Sequence, residues 1–477
     1  MSSMHRRIFT FSISALAAML CGCTVGPDYQ RPSIPVPQSY KEIHTADWQK
    51  AQPADLFPKG QWWLVFNDPA LNSLESQLNI SNQNIKAAAA QYQQALALVQ
   101  EARAAYFPSL SVNASSMQQV TGSAPNSGPI GSGNSDSSNV NQISLAASWE
   151  ADLWGNVRRN VEANVAGAQI SQAQLAAARL SAQASLAQFY FQLRGVDSDH
   201  QLLAATVKSD QKILTLTKEE FKNGTASMED IVQARSQLEN AQSLLINLGI
   251  NRGQYEHAIA VLIGKAPADL SLPYHPFFGA PPVIPATLPS ALLERRPDIA
   301  AAERGMAQAN AQIGVAIAAY YPTLTLSPEA SMQSINNFFR SPFYSWSVGP
   351  LLAQTLLDGG LRSATTAAAR ANYNATVAQY RQTVLAAFQN VEDNLVSVRV
   401  LKSQGVVQNK AAKDAEIALQ LTLNQYQFGT ASYINVLTSQ VAAYNAEKSA
   451  VDITTLRMVS TVELINALGG GFVAPNA

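Results

Sequence analysis

Few side chains of this sequence are spaced to do chemistry. The five histidines stand at positions 5, 44, 200, 257 and 275, and none of these intervals places two of them as ligands on one metal. Gly128, Gly131 and Gly133 sit in a stretch of Ser, Asn and Pro rather than between a strand and a helix, so they form no phosphate cradle. Glu294 and Asp298 flank Arg295 and Arg296, where capping and charge at a helix start account for them. No catalytic constellation, metal set or nucleotide motif emerges. The expectation is a protein that is not an enzyme and that needs no cofactor beyond a covalent lipid.

That lipid follows from one cysteine. Arg6 and Arg7 precede an apolar run, Ile8 to Leu20, that is too short to span a bilayer and has the form of a signal peptide. It ends in Leu20-Cys21-Gly22-Cys23, the pattern of a lipobox. Cleavage would remove residues 1–22 and leave Cys23 as an acylated first residue carrying palmitate-type chains. Thr24 follows where an Asp would favour retention in the inner membrane, so the outer membrane is expected. Cys21 leaves with the signal, so no disulfide can hold the mature fold. One acyl chain anchors only marginally, and stable attachment calls for a second signal.

Loss of Arg6 and Arg7 takes the formal charge from −1 to −3. No basic tract is present, which excludes an electrostatic nucleic-acid footprint. Charged residues make up 14% of the chain, against about 25% in ordinary soluble domains. Ala, Gln, Ser and Asn fill the gap, which suits watery but uncharged surfaces. Beyond the signal no apolar run is long enough for a spanning helix. A membrane crossing would therefore require a closed β-barrel, since only helices and closed barrels satisfy every backbone group in lipid.

Proline is absent from 130–266 and from 351–474, while seven prolines crowd 267–289. A proline costs about 3 kcal/mol inside a helix, so the two proline-free stretches are expected to hold long helices and the cluster an extended linker. The two stretches are copies. Phe221-Lys-Asn-Gly224-Thr225-Ala226-Ser227 corresponds to Tyr426-Gln-Phe-Gly429-Thr430-Ala431-Ser432 at an offset of 205, and Val261 to Gly264 corresponds to Asn466 to Gly469 at the same offset. Tyr106-Phe107-Pro108 matches Tyr320-Tyr321-Pro322, and Gly155 to Arg158 matches Gly359 to Arg362. Four landmarks in one order indicate duplication.

Each copy reads as helix, β-hairpin, long helix, turn and returning helix. The hairpins are expected at about 107–150 and about 321–357, with roughly ten-residue strands of weak alternation, as tilted barrel strands require. The long helices, about 155 to 222 and about 359 to 427, would each be on the order of 100 Å in length. In the first copy one continuous entering helix, about Leu71 to Ala105, and a returning helix total about the length of the long helix. This arithmetic favours an elongated helical cylinder. The expected division is a signal (1–22), a lipidated segment (23–69), a first repeat (70–266) turning near 224, a Pro-rich linker (267–289), a second repeat (290–470) turning near 429, and a tail (471–477).

With these features in place, the chain resembles the outer-membrane factor family of tripartite efflux pumps, in its NodT-like lipoprotein branch. The resemblance is carried by Cys23-Thr-Val-Gly-Pro27-Asp28-Tyr29-Gln-Arg31-Pro32, by Trp62-Trp63-Leu-Val-Phe66-Asn-Asp68-Pro-Ala-Leu71, by Glu294-Arg295-Arg296-Pro297-Asp298-Ile299, and by the two Gly-Thr-Ala-Ser turns. It implies an α plus membrane β-barrel fold of duplicated helix–hairpin–helix units. Four strands per chain would close a trimeric twelve-stranded barrel continuous with a long periplasmic α-helical barrel. It also implies a homotrimer working with a periplasmic adaptor protein and an inner-membrane transporter of the resistance-nodulation-division class, as an exit duct for drugs or other small toxic compounds. Ducts for type I protein secretion or heavy-metal efflux share the fold, and a helical surface stalk without a channel is a further alternative. The turns Gly224, Thr225, Ala226, Ser227 and Gly429, Thr430, Ala431, Ser432 are the expected adaptor-docking tips, within Asn223 to Met228 and Phe428 to Tyr433. Relatives often carry an acidic gate residue a turn beyond the second tip. Thr438 stands there in this chain, so the expected gate is Asp230, Ile434 and Thr438.

Overall fold

A computed structural model describes residues 24–42, 61–121, 136–276, 279–282, 284, 295–335 and 342–470. The expected signal 1–22, the expected lipidation site Cys23, the loop glycines 128, 131 and 133, Glu294, much of 277–294 and the tail 471–477 lie outside the described residues. The chain packs as two compact units that cut across the repeats. The first draws on 1–32, 92–171 and 302–380, and the second on 33–91, 172–301 and 381–477.

In chain order the first repeat comprises α1 (Pro69–Ser81), α2 (Gln83–Ala104), β1 (Ser109–Thr121), β2 (Asp136–Ala151), α3 (Asn156–Lys222) and α4 (Met228–Leu262). The second comprises α5 (Pro297–Ala318), β3 (Thr323–Leu326), β4 (Glu329–Ile335), β5 (Phe343–Ser347), β6 (Pro350–Ala353), α6 (Leu361–Gln427) and α7 (Tyr433–Ala467). The long helices have 67 residues each and the returning helices 35 each.

The single entering helix expected before β1 is two helices. Asn82 ends α1, its backbone N–H bonding the Leu78 carbonyl, and its extended ψ of 124° breaks the ladder. Its side chain then serves both neighbours, accepting from the Ile85 amide at 2.9 Å and donating to the Leu262 carbonyl at 2.7 Å. The break thus satisfies orphan groups at the start of α2 and the end of α4.

In the first unit, β1 pairs antiparallel with β2 along its whole length, Ser109 opposite Ser148 to Thr121 opposite Asp136. β2 pairs in turn with β4 and then with β3, and these pair with β5 and β6. The second hairpin is therefore two long strands, each interrupted once. Pro328 lies in one interruption, where it has no N–H to offer the ladder, and its carbonyl accepts from the Ala147 amide at 2.9 Å. Functionally the sheet is four strands wide. Leu110, Val112, Tyr344, Trp346 and Leu352 share one face of it and remain more than 60% exposed, as a lipid-facing surface requires. No helix among the described residues is long and apolar enough to cross a membrane.

The segment from Val25 to Arg31 is a strap rather than a free tail. In the first unit the Val25 amide bonds the Trp154 carbonyl at 3.1 Å. Gly26, at φ +92°, meets Gly314 so closely that a Cβ would lie 2.6 Å from its Cα. Arg159 pairs with Asp28 at 2.8 Å, Tyr29 donates to Glu303 at 2.6 Å, and Arg31 donates to the Tyr380 hydroxyl. In the second unit Tyr40 is buried, and the Glu392 carboxylate accepts from the amides of Lys41 and Glu42.

The second unit is built on long-helix packing with two charged features inside it. Asp197 on α3, with no exposed side-chain surface, binds Arg194 at 2.8 Å and Arg252 at 2.9 Å and accepts from the His275 amide. Arg194 and Arg252 also donate to the carbonyls of Pro273 and Leu272. The start of the proline-rich segment is therefore docked on α3 and α4. At the other end of the repeat, Arg296 donates to the Ala467 carbonyl at 2.9 Å and to Asp298 at 2.7 Å. Burial alone would raise the Asp298 carboxyl, but the Arg296 fork and amide donors outweigh it and hold it low. The Arg-Arg-Pro-Asp motif thus caps α7 and opens α5.

Glu75 is the opposite case. It is fully buried on α1 among Leu71, Leu74 and Leu78, and neither carboxyl oxygen has a partner among the described residues. Burial pushes its pKa up to about 9, so it is protonated at neutral pH. Between about pH 4.5 and 9 the unfolded chain binds fewer protons than the folded one, and stability falls as pH rises. Glu75→Gln is expected to remove that slope and to gain about 3 kcal/mol over the parent at pH 7. Unfolding in detergent followed from pH 4 to 9 measures it, and parallel curves for both proteins would refute the assignment.

Candidate functional site

The two turns that join the long helices to the returning ones have the same closure. At the first, the Gly224 amide bonds the Phe221 carbonyl at 3.0 Å and the Thr225 amide bonds the Glu220 carbonyl at 2.9 Å. At the second, Gly429 bonds Tyr426 and Thr430 bonds Gln425, each at 2.9 Å. This is the Schellman pattern, which needs a left-handed residue just past the helix. Gly224 and Gly429 supply it at φ +77° and +70°. Thr225 and Thr430 add a hydroxyl bond to the same carbonyls of Glu220 and Gln425.

The turns differ at the next helix. Ser227 caps α4 and its hydroxyl accepts from the Asp230 amide, while the Asp230 carboxylate accepts from the Ser227 amide at 2.8 Å. This reciprocal capping box occupies the carboxylate that the sequence suggested for the gate. Ser432 starts α7 without a side-chain cap, and Asn435 stands where the first turn has Asp230. Ile434 is exposed and Thr438 bonds its hydroxyl to the Ile434 carbonyl at 2.8 Å. No hydrogen bond or ion pair joins Asp230 to Ile434 or Thr438 among the described residues.

Beneath the turns, one core joins both repeats. Ile213 and Leu214 of α3, Ile231 and Ala234 of α4, Tyr426 of α6, and Tyr433 and Val436 of α7 are buried together. Tyr426 donates to the Glu220 carboxylate and lies 3.5 Å from the Thr217 hydroxyl, tying α6 to α3. Burial, with Glu220 adding to it, pushes the Tyr426 hydroxyl up to about 12. Further from the turns, Gln440 of α7 donates to Asp210 of α3, whose carboxyl burial raises to about 6. Gln440 and Asp210 drew no notice in the sequence, where an isolated amide and an isolated acid inside helices carry no pattern. The turns themselves present apolar side chains outward, with Phe428 83% and Met228 58% exposed.

A four-stranded sheet with open edges and paired helical hairpins of this length defines an outer-membrane exit duct. The chain matches the outer membrane efflux protein family over residues 74–265 and 288–470, and it belongs to that family. It is 28% identical over 473 residues to a probable efflux pump outer membrane protein, TtgC, of Pseudomonas putida, covering 97% of this chain and 95% of that one. It is 30% identical over 448 residues to the pyoverdine export outer membrane protein OpmQ of Pseudomonas aeruginosa, covering 92% and 94%. Among solved structures it superposes on the outer-membrane channel OprN with a TM-score of 0.85 at 26% identity, covering 94% of this chain and 99% of that one. CusC gives 0.83 at 25% identity, covering 94% and 100%.

The fold is accordingly that of the trimeric TolC-like channels, in which four strands from each of three chains close one twelve-stranded barrel and the long helices form a periplasmic helical barrel. The protein is an outer-membrane channel of a tripartite efflux pump, and its relatives are channels rather than enzymes. Channels of this family are trimers that work with an adaptor and an inner-membrane pump.

The glycine turns give a direct test. Gly429→Ala places a Cβ on a left-handed residue, which costs about 1–2 kcal/mol, yet no atom lies within 4 Å to clash with it. Urea unfolding of the detergent-solubilised protein is expected to show that loss for Gly429→Ala and a similar one for Gly224→Ala. Unchanged midpoints would contradict the backbone assignment.

Proposed function

We propose that the chain is the passive exit duct for small toxic compounds delivered by a resistance-nodulation-division pump through a periplasmic adaptor. The observation that supports it most is the pair of matched turns, Gly224 to Ser227 and Gly429 to Ser432, which close alike, rest on one buried core and present Phe428 and Met228 to solvent. An adaptor that contacts both repeats would meet one repeated backbone surface. The relatives support a duct that accepts what its pump delivers, because proteins named for toluene, cation and pyoverdine export share 26% to 30% identity with this chain. Cargo choice then rests with the pump.

Two further assignments belong to this reading. Cys23 carries the lipid, and the strap from Val25 to Arg31 ties that acylated end to the rest of the chain. Asp230, Ile434 and Thr438 form the constriction, with Asp230 serving as cap and as charge at once. Asp230→Asn keeps an acceptor for the Ser227 amide and removes the charge. Raised single-channel conductance in Asp230→Asn supports a gate, and a change confined to Asp230→Ala assigns Asp230 to capping alone.

A drug-susceptibility panel on a deletion strain tests the function. The panel includes dyes, detergents, organic solvents and metal cations. Hypersensitivity to at least one class is expected, with rescue by the intact gene and weaker rescue by Cys23→Ser, which also loses labelling by radioactive palmitate. Unchanged sensitivity to every compound would remove the efflux reading.

A further inference from the structure

Within the second unit the seam between α3 and α7 joins one repeat to the other, and two acids lie in it. Gly195 lies against Thr455, Asp199 is 3.9 Å from the Lys448 ammonium, and Asp210 accepts from Gln440. On α3 these residues fall on one stripe, with Asp199 and Asp210 about three turns apart. Asp199 has a cation beside it, although Lys448 lies closer to Asp452, at 2.6 Å. Asp210 has none.

Asp210 is 2% exposed and Gln440 is 3% exposed. The groups facing Asp210 are uncharged. From α7 it meets Gln440 and lies near Tyr433, whose hydroxyl is pushed up to about 12 by burial first and the Asp210 charge second. Tyr426 of α6 and Asp230 of α4 act on Tyr433 and not on Asp210. Lys208 and Lys212 of α3, and Arg235 and Glu239 of α4, are exposed. No lysine or arginine bonds the Asp210 carboxyl among the described residues.

The hydrogen bonds of this pair are incomplete in a particular way. Gln440 Nε2 donates to Asp210 Oδ1. Asp210 Oδ2 and Gln440 Oε1 are both buried, and neither has a partner among the described residues. An ionised Asp210 leaves them so, because a carboxylate and an amide carbonyl can only accept. A neutral Asp210 has one hydroxyl to donate, and Gln440 Oε1 belongs to the side chain it already touches. One proton then satisfies two buried oxygens and closes a carboxylic acid–carboxamide pair. Burial raises the Asp210 carboxyl to about 6, outweighing the Gln440 bond that lowers it, so the proton arrives in mild acid.

We propose that Asp210 and Gln440 form a proton-operated clasp between the two repeats, engaged in mild acid by an Asp210 Oδ2–H bond to Gln440 Oε1 and released when that proton leaves. From about pH 4 to about pH 6 the closed seam binds more protons than a separated one, so the join weakens as pH rises through that range. Asp199 adds to the trend, since burial raises its carboxyl to about 6 against the pull of Lys448. The clasp lies one turn of α7 beyond Val436, at the edge of the core on which both turns rest. It requires no assumption about adaptor, cargo or constriction.

Asp210→Asn tests it, because the asparagine amide reproduces the neutral acid at every pH. Its Nδ2 donates to Gln440 Oε1 and its Oδ1 accepts from Gln440 Nε2. Amide hydrogen exchange over residues 205–217 and 433–444 is followed in the full-length protein in detergent, at about pH 5 and about pH 7.5. Parent and variant compared at one pH share the same intrinsic rate. They should exchange alike at about pH 5, and at about pH 7.5 the parent should exchange at least several-fold faster. Infrared difference spectra between the two pH values should show one carboxylic-acid carbonyl band in the parent that Asp210→Asn lacks. Equal exchange of parent and variant at both pH values, or no such missing band, would overturn the clasp. If Asp210→Asn does not assemble, Asp199→Asn decides, with Asp210 left as the acid of the seam. Its exchange over 433–444 should still quicken several-fold beyond the intrinsic rate between the two pH values, and exchange that follows the intrinsic rate alone would overturn the proposal.

Discussion

The structure turns on a sheet that cannot be left open. Each chain supplies four antiparallel strands, and among the described residues the outer edge of β1 and the outer edge of β5 and β6 are unpaired within it. In water such edges invite aggregation, and in hydrocarbon each unpaired backbone group costs several kcal/mol. Three copies joined edge to edge remove the problem, which makes the trimer a condition of membrane insertion rather than a later association. The exposed Trp346, Tyr344, Leu110 and Leu352 then face lipid instead of water.

The same need for pairing recurs in the helices. A long helix with its apolar residues distributed around it cannot be satisfied by one neighbour. Within the chain α3 finds α7, through Gly195 against Thr455 and Asp210 against Gln440. The turns at Gly224 and Gly429 reverse the chain in very few residues because glycine adopts the left-handed conformation without a Cβ penalty. Identical closures at both ends place the two hairpins on one buried core, where Tyr426 and Tyr433 fill the space between repeats.

Much of this was legible in the sequence. The proline-free stretches marked the long helices, and the Gly-Thr-Ala-Ser turns marked their ends to within a residue or two. The duplication was visible because the same backbone problem was solved twice with the same residues. Other features were hidden for physical reasons. The break at Asn82 depends on a carbonyl 180 residues away, that of Leu262. Within the segment expected only to be lipidated, the strap at Val25 to Arg31 shows itself when Gly26 is seen against Gly314 and Asp28 against Arg159. Asp197 and Glu75 look alike as acids within helices, yet one is held by two arginines and the other has no partner among the described residues, and only the packing tells them apart. For the turn residues, the sequence located Asp230 but not the capping bond that occupies it.

The central claim is that three copies of this chain enclose a water-filled path across the outer membrane. The most direct measurement is single-channel recording of the purified full-length protein in planar lipid bilayers, beside unheated and heated gel mobility of the same sample. Discrete conductance steps from material that runs as a trimer until heated are the predicted result. A heat-stable trimer that adds no conductance at any voltage, or conductance from monomer alone, would contradict the account.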